Sequence, residues 1–181
     1  TATVAEQVED EFAPYYATFM PGFKQILSNY AGPEHSLLRG KTMEALTLIG
    51  EAVGKDVFLA DAQEVMQVLV QTQQAGMKSD DESSVYLIQA CARIACVLEQ
   101  DFVPFLPYVI PPLLVMAQKE PEVTVTDADD ENAAPDNSDN KYEVLDMAIR
   151  GAGNKRVSIN TQDAEDKALA CDILSTYASN L

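Results

Sequence analysis

Three cysteines, one histidine and a surplus of carboxylates are the residues of this chain that could carry chemistry. Cys91, Cys96 and Cys171 cannot all pair, and none of them stands in a Cys-x-x-Cys or Cys/His ligand spacing. Their neighbours Ala90, Ile94, Ala95 and Leu174 predict small core hydrophobes in a reducing compartment. His35 follows the Gly32-Pro33 break without a serine or cysteine partner in any recognisable motif, and reads as a loop histidine near a helix start. Asp127, Asp129 and Glu131 have the spacing that opens a calcium-binding EF-hand loop. Asn132, however, stands where that loop needs glycine, and Ser138 where it needs a bidentate acid. The chain has no Gly-x-Ser-x-Gly, phosphate-binding loop or dinucleotide fingerprint. The expectation is a protein that is not an enzyme, with no cofactor and no metal.

The carboxylates act by number instead. Twelve Lys+Arg against 29 Asp+Glu leave a formal charge of −17, a field that repels nucleic-acid phosphates and attracts basic peptides, basic proteins or cations. Ten acids against Lys141 alone lie between Glu120 and Asp146. Within that stretch Thr126–Asn140 has no hydrophobic periodicity and is expected to stay a solvated loop, with Asp127, Asp129, Asp130 and Glu131 as candidate contacts for a basic partner. Tyr142–Ile149 and Lys155–Asn160 flank Gly151-Ala152-Gly153-Asn154, which predicts a β-hairpin.

The elements that position these charges show a countable period. Phe12-x-Pro14 and Phe102-x-Pro104 lie 90 residues apart, and Pro21 and Pro111 keep that offset. Half of it, 45, falls in the range of about 40–47 residues for HEAT and armadillo units. The intermediate copy is present: Ala45, Leu46, Ile49 and Val53 match Ala90, Cys91, Ile94 and Leu98 at an offset of 45, each set on one helical face. A third copy is read at Ala170, Cys171, Leu174 and Ala178, displaced by 80 because the acidic insertion intervenes. The expected architecture is an all-α HEAT-repeat superhelix with an acidic loop and short hairpin insertion over 119–162. Its repeats run at about 12–54, 58–100 and 102–181. Helices are predicted near Phe12–Ser28, Ser36–Val53, Phe58–Gln74, Ser83–Gln100, Phe102–Lys119 and from Asp163 onward, with breaks at Gly32-Pro33, Gly54 and Gly76. Interior prolines at Pro21 and Pro111 predict kinks held by packing. The longest apolar run, Phe102–Ala117, has 16 residues and four prolines, short of the roughly 20 needed to cross a bilayer. Thr1–Glu11 lacks the apolar core of a signal peptide, so a soluble intracellular chain is expected. The helical pattern runs to Leu181 without a polar capping repeat, which predicts a piece of something longer.

Phe12-x-Pro14-Tyr15-Tyr16-x-x-Phe19-Met20-Pro21, Leu38-Arg39-Gly40-Lys41-Thr42-Met43-Glu44 and Leu48-Ile49-Gly50-Glu51-Ala52-Val53-Gly54-Lys55 resemble the karyopherin-beta (importin-beta) family of nuclear transport receptors, in its importin beta-3 branch. Asp101-Phe102-Val103-Pro104-Phe105-Leu106-Pro107 and Val109-Ile110-Pro111-Pro112-Leu113-Leu114 extend the resemblance over nearly the whole chain. That branch carries tryptophan where Cys91 and Tyr142 stand here. The resemblance implies a central segment of a receptor that shuttles between cytoplasm and nucleus, wraps basic cargo in a concave face lined by second helices, releases it to Ran-GTP and contacts Phe-Gly nucleoporins. Glu44 and Glu51 share an outward helical face suited to a lysine or arginine of a localisation signal, and Arg93 on the next second helix is a further candidate contact. No direct nucleic-acid contact and no membrane insertion are expected. A HEAT scaffold organising a phosphatase, kinase or other complex would have the same fold, and is the competing reading.

Overall fold

The computed structural model describes residues 7, 9–30, 32–74, 83–128, 141–149, 151 and 153–181. Helix α1 (Ala13–Asn29) follows a 3₁₀ turn at Glu9–Phe12 and continues through Pro21, while Pro14 sits in its first turn, where a missing N–H costs nothing. A second 3₁₀ turn, Pro33–His35, leads into α2 (Ser36–Val53). Helices α3 (Lys55–Gln74) and α4 (Ser83–Leu98) come next, then a 3₁₀ segment at Glu99–Phe105 and α5 (Leu106–Gln118). Strands β1 (Val123–Asp127), β2 (Tyr142–Ile149) and β3 (Gly153–Asn160) precede α6 (Thr161–Asn180). The fold is an all-α HEAT-repeat type with a small strand insertion.

Contacts divide the chain into two compact units, one comprising residues up to Pro111 with Ile173–Leu181, the other Pro112–Asp172. In the first unit α1 packs on α2, α3 on α4, and the most extensive helix packing is between α2 and α4. Leu46, Ile49 and Val53 of α2 and Cys91, Ile94 and Leu98 of α4 are buried in that seam, as their shared helical spacing requires. Phe12, Phe58 and Phe102, one near the start of each first helix, are all buried. Gly50 lets α2 approach α3 closely, since a Cβ there would lie 2.4 Å from the Phe58 ring. Gly40 gives Tyr86 the same room. Gly54 ends α2 at φ 75, ψ 175, a conformation open essentially to glycine alone. Forty-five residues on, Glu99 takes φ 51 at the end of α4, so that helix also ends on a positive φ, there without glycine.

Arg39 is buried at 5% exposure in the middle of this unit. Its Nη1 donates to the Gly32 carbonyl at 2.6 Å and the Tyr30 carbonyl at 3.4 Å, and Nη2 donates to Ser83 Oγ at 3.1 Å. One guanidinium thus bonds the Tyr30 carbonyl at the end of α1 and the Gly32 carbonyl in the following turn, and ties the α1–α2 turn to the start of α4.

The second unit holds an antiparallel sheet of order β1-β3-β2. Val125 pairs with Val157 and Leu145 with Val157, and Asp127 faces Lys155, so strand register brings apolar residues into one row and an ion pair into the next. Asn160 ends β3 and accepts the Asp163 N–H at 3.2 Å, capping α6. The buried Asp163 carboxylate accepts from Lys119.

Several expectations are corrected. The expected hairpin is present, but β1 adds a third strand and takes Thr126 and Asp127 out of the expected loop. Residues 129–140 and the Gly76 break lie outside the described residues. Cys91 is buried, whereas Cys96 and Cys171 are exposed, because on a helix each lies off the face its neighbours bury. In α6 the buried apolar positions are Ala170, Ile173 and Tyr177, so of the proposed third copy only Ala170 points inward. Helix α3 begins at Lys55 rather than Phe58, and the last turns after Leu98 are 3₁₀. Ser83–Gln118 contains a window long and apolar enough to cross a bilayer. Glu99 and Asp101 interrupt that segment, whose apolar window is 17% buried.

Candidate functional site

The residues of α2 left outside the core at helical spacing are Lys41, Glu44, Leu48 and Glu51. Tyr86, Gln89, Arg93 and Cys96, each 45 residues further, occupy the matching positions of α4 and are likewise not buried. Two rows therefore lie side by side on helices whose opposite faces form the seam.

Lys41 Nζ sits 4.7 Å from the centroid of the Tyr86 ring and 3.0 Å from Glu44 Oε2. The Tyr86 hydroxyl first, then Glu44, raise the Lys41 pKa, so its ammonium stays charged. Glu44 is about one-third exposed and Lys41 more than half. Glu51 is exposed at the other end of α2. Burial first and then the Glu51 carboxylate push the Cys96 thiol up, and Asn180 Nδ2 donates to Cys96 Sγ at 3.6 Å. This places α2, α4 and the end of α6 next to one another on one surface. Arg93 differs from the rest, for its Nη1 is buried with no hydrogen-bond partner. A buried unsatisfied guanidinium nitrogen is costly.

Of the acidic insertion, Asp127 closes β1, where its carboxylate accepts from Lys155 Nζ at 2.6 Å. Asp129, Asp130 and Glu131 lie outside the described residues. His35 makes an edge contact with Tyr30, with ring centroids 4.9 Å apart, and no group of three or more His, Cys, Asp or Glu side chains that could hold a metal occurs among the described residues.

A second polar cluster was not anticipated. Tyr16 Oη donates to Asp61 Oδ2 at 2.6 Å, and Lys24 Nζ donates to Asp61 Oδ1 at 2.7 Å and also to Glu64. Burial alone would raise the Asp61 pKa, but hydrogen bonds from Lys24 and Tyr16 outweigh it and hold the carboxyl below its ordinary value. The Tyr16 hydroxyl is pushed up by burial and by Asp61. Tyr16 and Asp61 are 45 residues apart, and that spacing was the one available signal.

Helix pairs stacked through a repeated seam, with polar rows facing outward, define a segment of a helical-repeat protein. No protein-family model matches the chain. It is 37% identical over 180 residues to importin subunit beta-3 of Saccharomyces cerevisiae, covering 99% of this chain and 16% of the relative. It is 28% identical to a probable importin-5 homolog of Dictyostelium discoideum, covering 99% of this chain and 15% of that protein. Among solved structures, Kap121p bound to Pho4p superposes with a TM-score of 0.82 at 37% identity, and Kap121p bound to RanGTP with 0.77 at 38%. Each covers 99% of this chain and 16% of that one. The chain spans about a sixth of the curated relatives' length, and over that stretch it is a homologue of importin beta-3 and other members of the importin-beta family.

Proposed function

We propose that this chain is a segment of a nuclear import receptor that helps to hold basic cargo, acts under the control of Ran-GTP and shuttles between cytoplasm and nucleus. The observation that carries the reading is the match along 99% of the chain to importin beta-3, whose structural counterpart Kap121p has been solved with Pho4p, with Nup53p and with RanGTP. The relatives bear the names of importins, not of enzymes. Repeats at about 12–54, 58–100 and 102–181 would place α2 and α4 as successive second helices, with Glu44 and Glu51 turned toward the cargo.

Charge supports the same reading. A chain of −17 draws basic segments toward it, and the carboxylates of the α2 row supply local partners for lysine or arginine. Arg93, Asp127, Asp129, Asp130 and Glu131 are proposed as further contacts, and Phe-Gly nucleoporins as additional partners of the whole receptor. Binding of a basic localisation peptide to the 181-residue chain is expected to weaken as salt rises, and to weaken further in Glu44→Lys and Glu51→Lys. Affinity unchanged in both variants would remove the α2 row from the cargo site.

A further inference from the structure

Lys41 is in an unusual position for a surface lysine. Its ammonium lies against an aromatic ring and a carboxylate at once, the two groups that together hold an alkylammonium best at a protein surface. Tyr86 presents its ring there for a structural reason: Gly40 has no Cβ, and one would lie 2.4 Å from Tyr86 Cδ2, so the ring rests on the α2 backbone one residue before Lys41. Glu44 stands one turn along the same helix. The ring is therefore fixed by the packing of α2 on α4, and the carboxylate is carried beside it on α2. Lys41, by contrast, is a long side chain more than half exposed, and can swing into solvent without disturbing either.

We propose that the Tyr86 ring and the Glu44 carboxylate form a receptor site for one lysine or arginine side chain of a bound partner, and that Lys41 fills this site in the unbound chain. The inference rests on the reading of α2 and α4 as a surface for basic partners, and adds to it a named subsite and an internal competitor. An incoming ammonium displaces Lys41 one for one, so no charge is left buried at any stage. Occupation by Lys41 weakens non-specific attraction of single cations while leaving the site available to a tethered, multivalent basic segment. Selectivity for such segments over isolated charges follows.

The test is a fluorescence-anisotropy titration of the 181-residue chain with a labelled oligolysine peptide at low salt. Lys41→Met is expected to tighten binding by about threefold to tenfold, the scale of one surface cation–π contact with its accompanying ion pair. In Lys41→Met/Tyr86→Leu that gain is expected to disappear. A gain that survives loss of the ring is a bare charge effect and overturns the proposal, as does an unchanged or weaker affinity of Lys41→Met. If wild type and Lys41→Met both fail to bind oligolysine, the cargo-surface reading falls, and this proposal with it. If wild type binds and only the predicted gain is missing, the subsite alone is refuted. Because Tyr86 also packs on Gly40, a readout in the unsubstituted chain is needed. The ε-methylene protons of Lys41 are expected upfield from the Tyr86 ring current, and to return to an ordinary position when oligolysine is added. Protons that stay upfield in the complex would show that Lys41 is not displaced.

Discussion

The sharpest consequence of the helix packing is that one substitution, glycine to alanine inside a helix, has opposite signs at two places. In the interior of α1, a Cβ at Gly22 meets nothing within 4 Å. Alanine there gains helix propensity alone, about 1 kcal/mol. At Gly50 the same Cβ would lie 2.4 Å from Phe58 Cε1, 2.5 Å from Cδ1 and 2.7 Å from Cζ. Phe58 has no exposed surface, so its ring cannot turn outward, and α2 and α3 must separate or the ring must leave its rotamer. Overpacking costs about 1–3 kcal/mol, and three atoms of a fully buried ring this close put the site in the upper part of that range, about 2–3 kcal/mol, so after the propensity gain a net loss of about 1–2 kcal/mol remains. For a chain of this size that is a fall in melting temperature of roughly 2–8 °C. Thermal and urea melts followed by circular dichroism measure both variants. Adding Phe58→Leu to Gly50→Ala is expected to recover part of the loss, because the leucine side chain leaves room for the new methyl. A Gly50→Ala variant as stable as wild type, beside a stabilised Gly22→Ala, would refute the claim that this glycine sets the α2–α3 distance.

Arg39→Met is expected to lose about 2–4 kcal/mol in urea melts, since it removes the charge-assisted hydrogen bonds to the Gly32 and Tyr30 carbonyls and to Ser83. Arg39→Lys should not restore the loss, because a single ammonium cannot reproduce the fork. The Asp61 carboxyl titrates below its ordinary 3.8 when folded, so its contribution is complete above that value and is lost as pH falls through it toward the folded pKa. Acid melts of Asp61→Asn should therefore show a shallower loss of stability below pH 4 than wild type, together with a lower plateau at neutral pH. Glu99→Gly is expected to raise stability by about 1 kcal/mol, because the corner at φ 51 is strained for any residue with a Cβ. The Lys55 bond to Asp101 at 2.8 Å remains in that variant, and a destabilised Glu99→Gly would show that the Glu99 carboxylate matters more than the strain.

What could be read from residues alone follows from which forces leave a periodic trace. The α2–α4 seam was legible because Leu46, Ile49 and Val53 and their counterparts recur on one face at a constant interval. The β2–β3 hairpin was legible because Leu145, Met147, Val157 and Ile159 alternate around glycines. Strand β1 was missed although Val123-Thr124-Val125-Thr126 is a run of β-branched residues, because the neighbouring acids dominated that stretch. Cys96 and Cys171 were placed by the company they keep rather than by angle, and one step along a helix turns a side chain by about 100°. The third copy went wrong by one residue for the same reason: matching Cys171 to Cys91 set the displacement at 80, whereas the buried trio Ala170, Ile173 and Tyr177 fits Cys91, Ile94 and Leu98 at 79. Arg39 left no trace at all, since a hydrophobic pattern cannot show a charge whose acceptors are carbonyls in a turn seven to nine residues away.

The site divides along the same line. Stacked repeats are stable if each seam is filled, and nothing in that requirement touches the side chains facing out. Inward, the interval of 45 keeps apolar character at Leu46/Cys91, Ile49/Ile94 and Val53/Leu98, and keeps a positive φ at Gly54/Glu99 while changing the residue. Outward, Lys41 faces Tyr86's position, Glu44 that of Gln89, Leu48 that of Arg93 and Glu51 that of Cys96, with no type retained. Periodicity therefore locates the rows but carries no information about their chemistry, which arises only where two rows touch. Lys41 on Tyr86 is such a contact, and it became visible only when packing through Gly40 had set the ring beside the ammonium. If the chain binds basic partners as proposed, specificity would reside in those lateral contacts between neighbouring helices, and substitutions confined to a single row are then expected to alter affinity while leaving the fold unmoved.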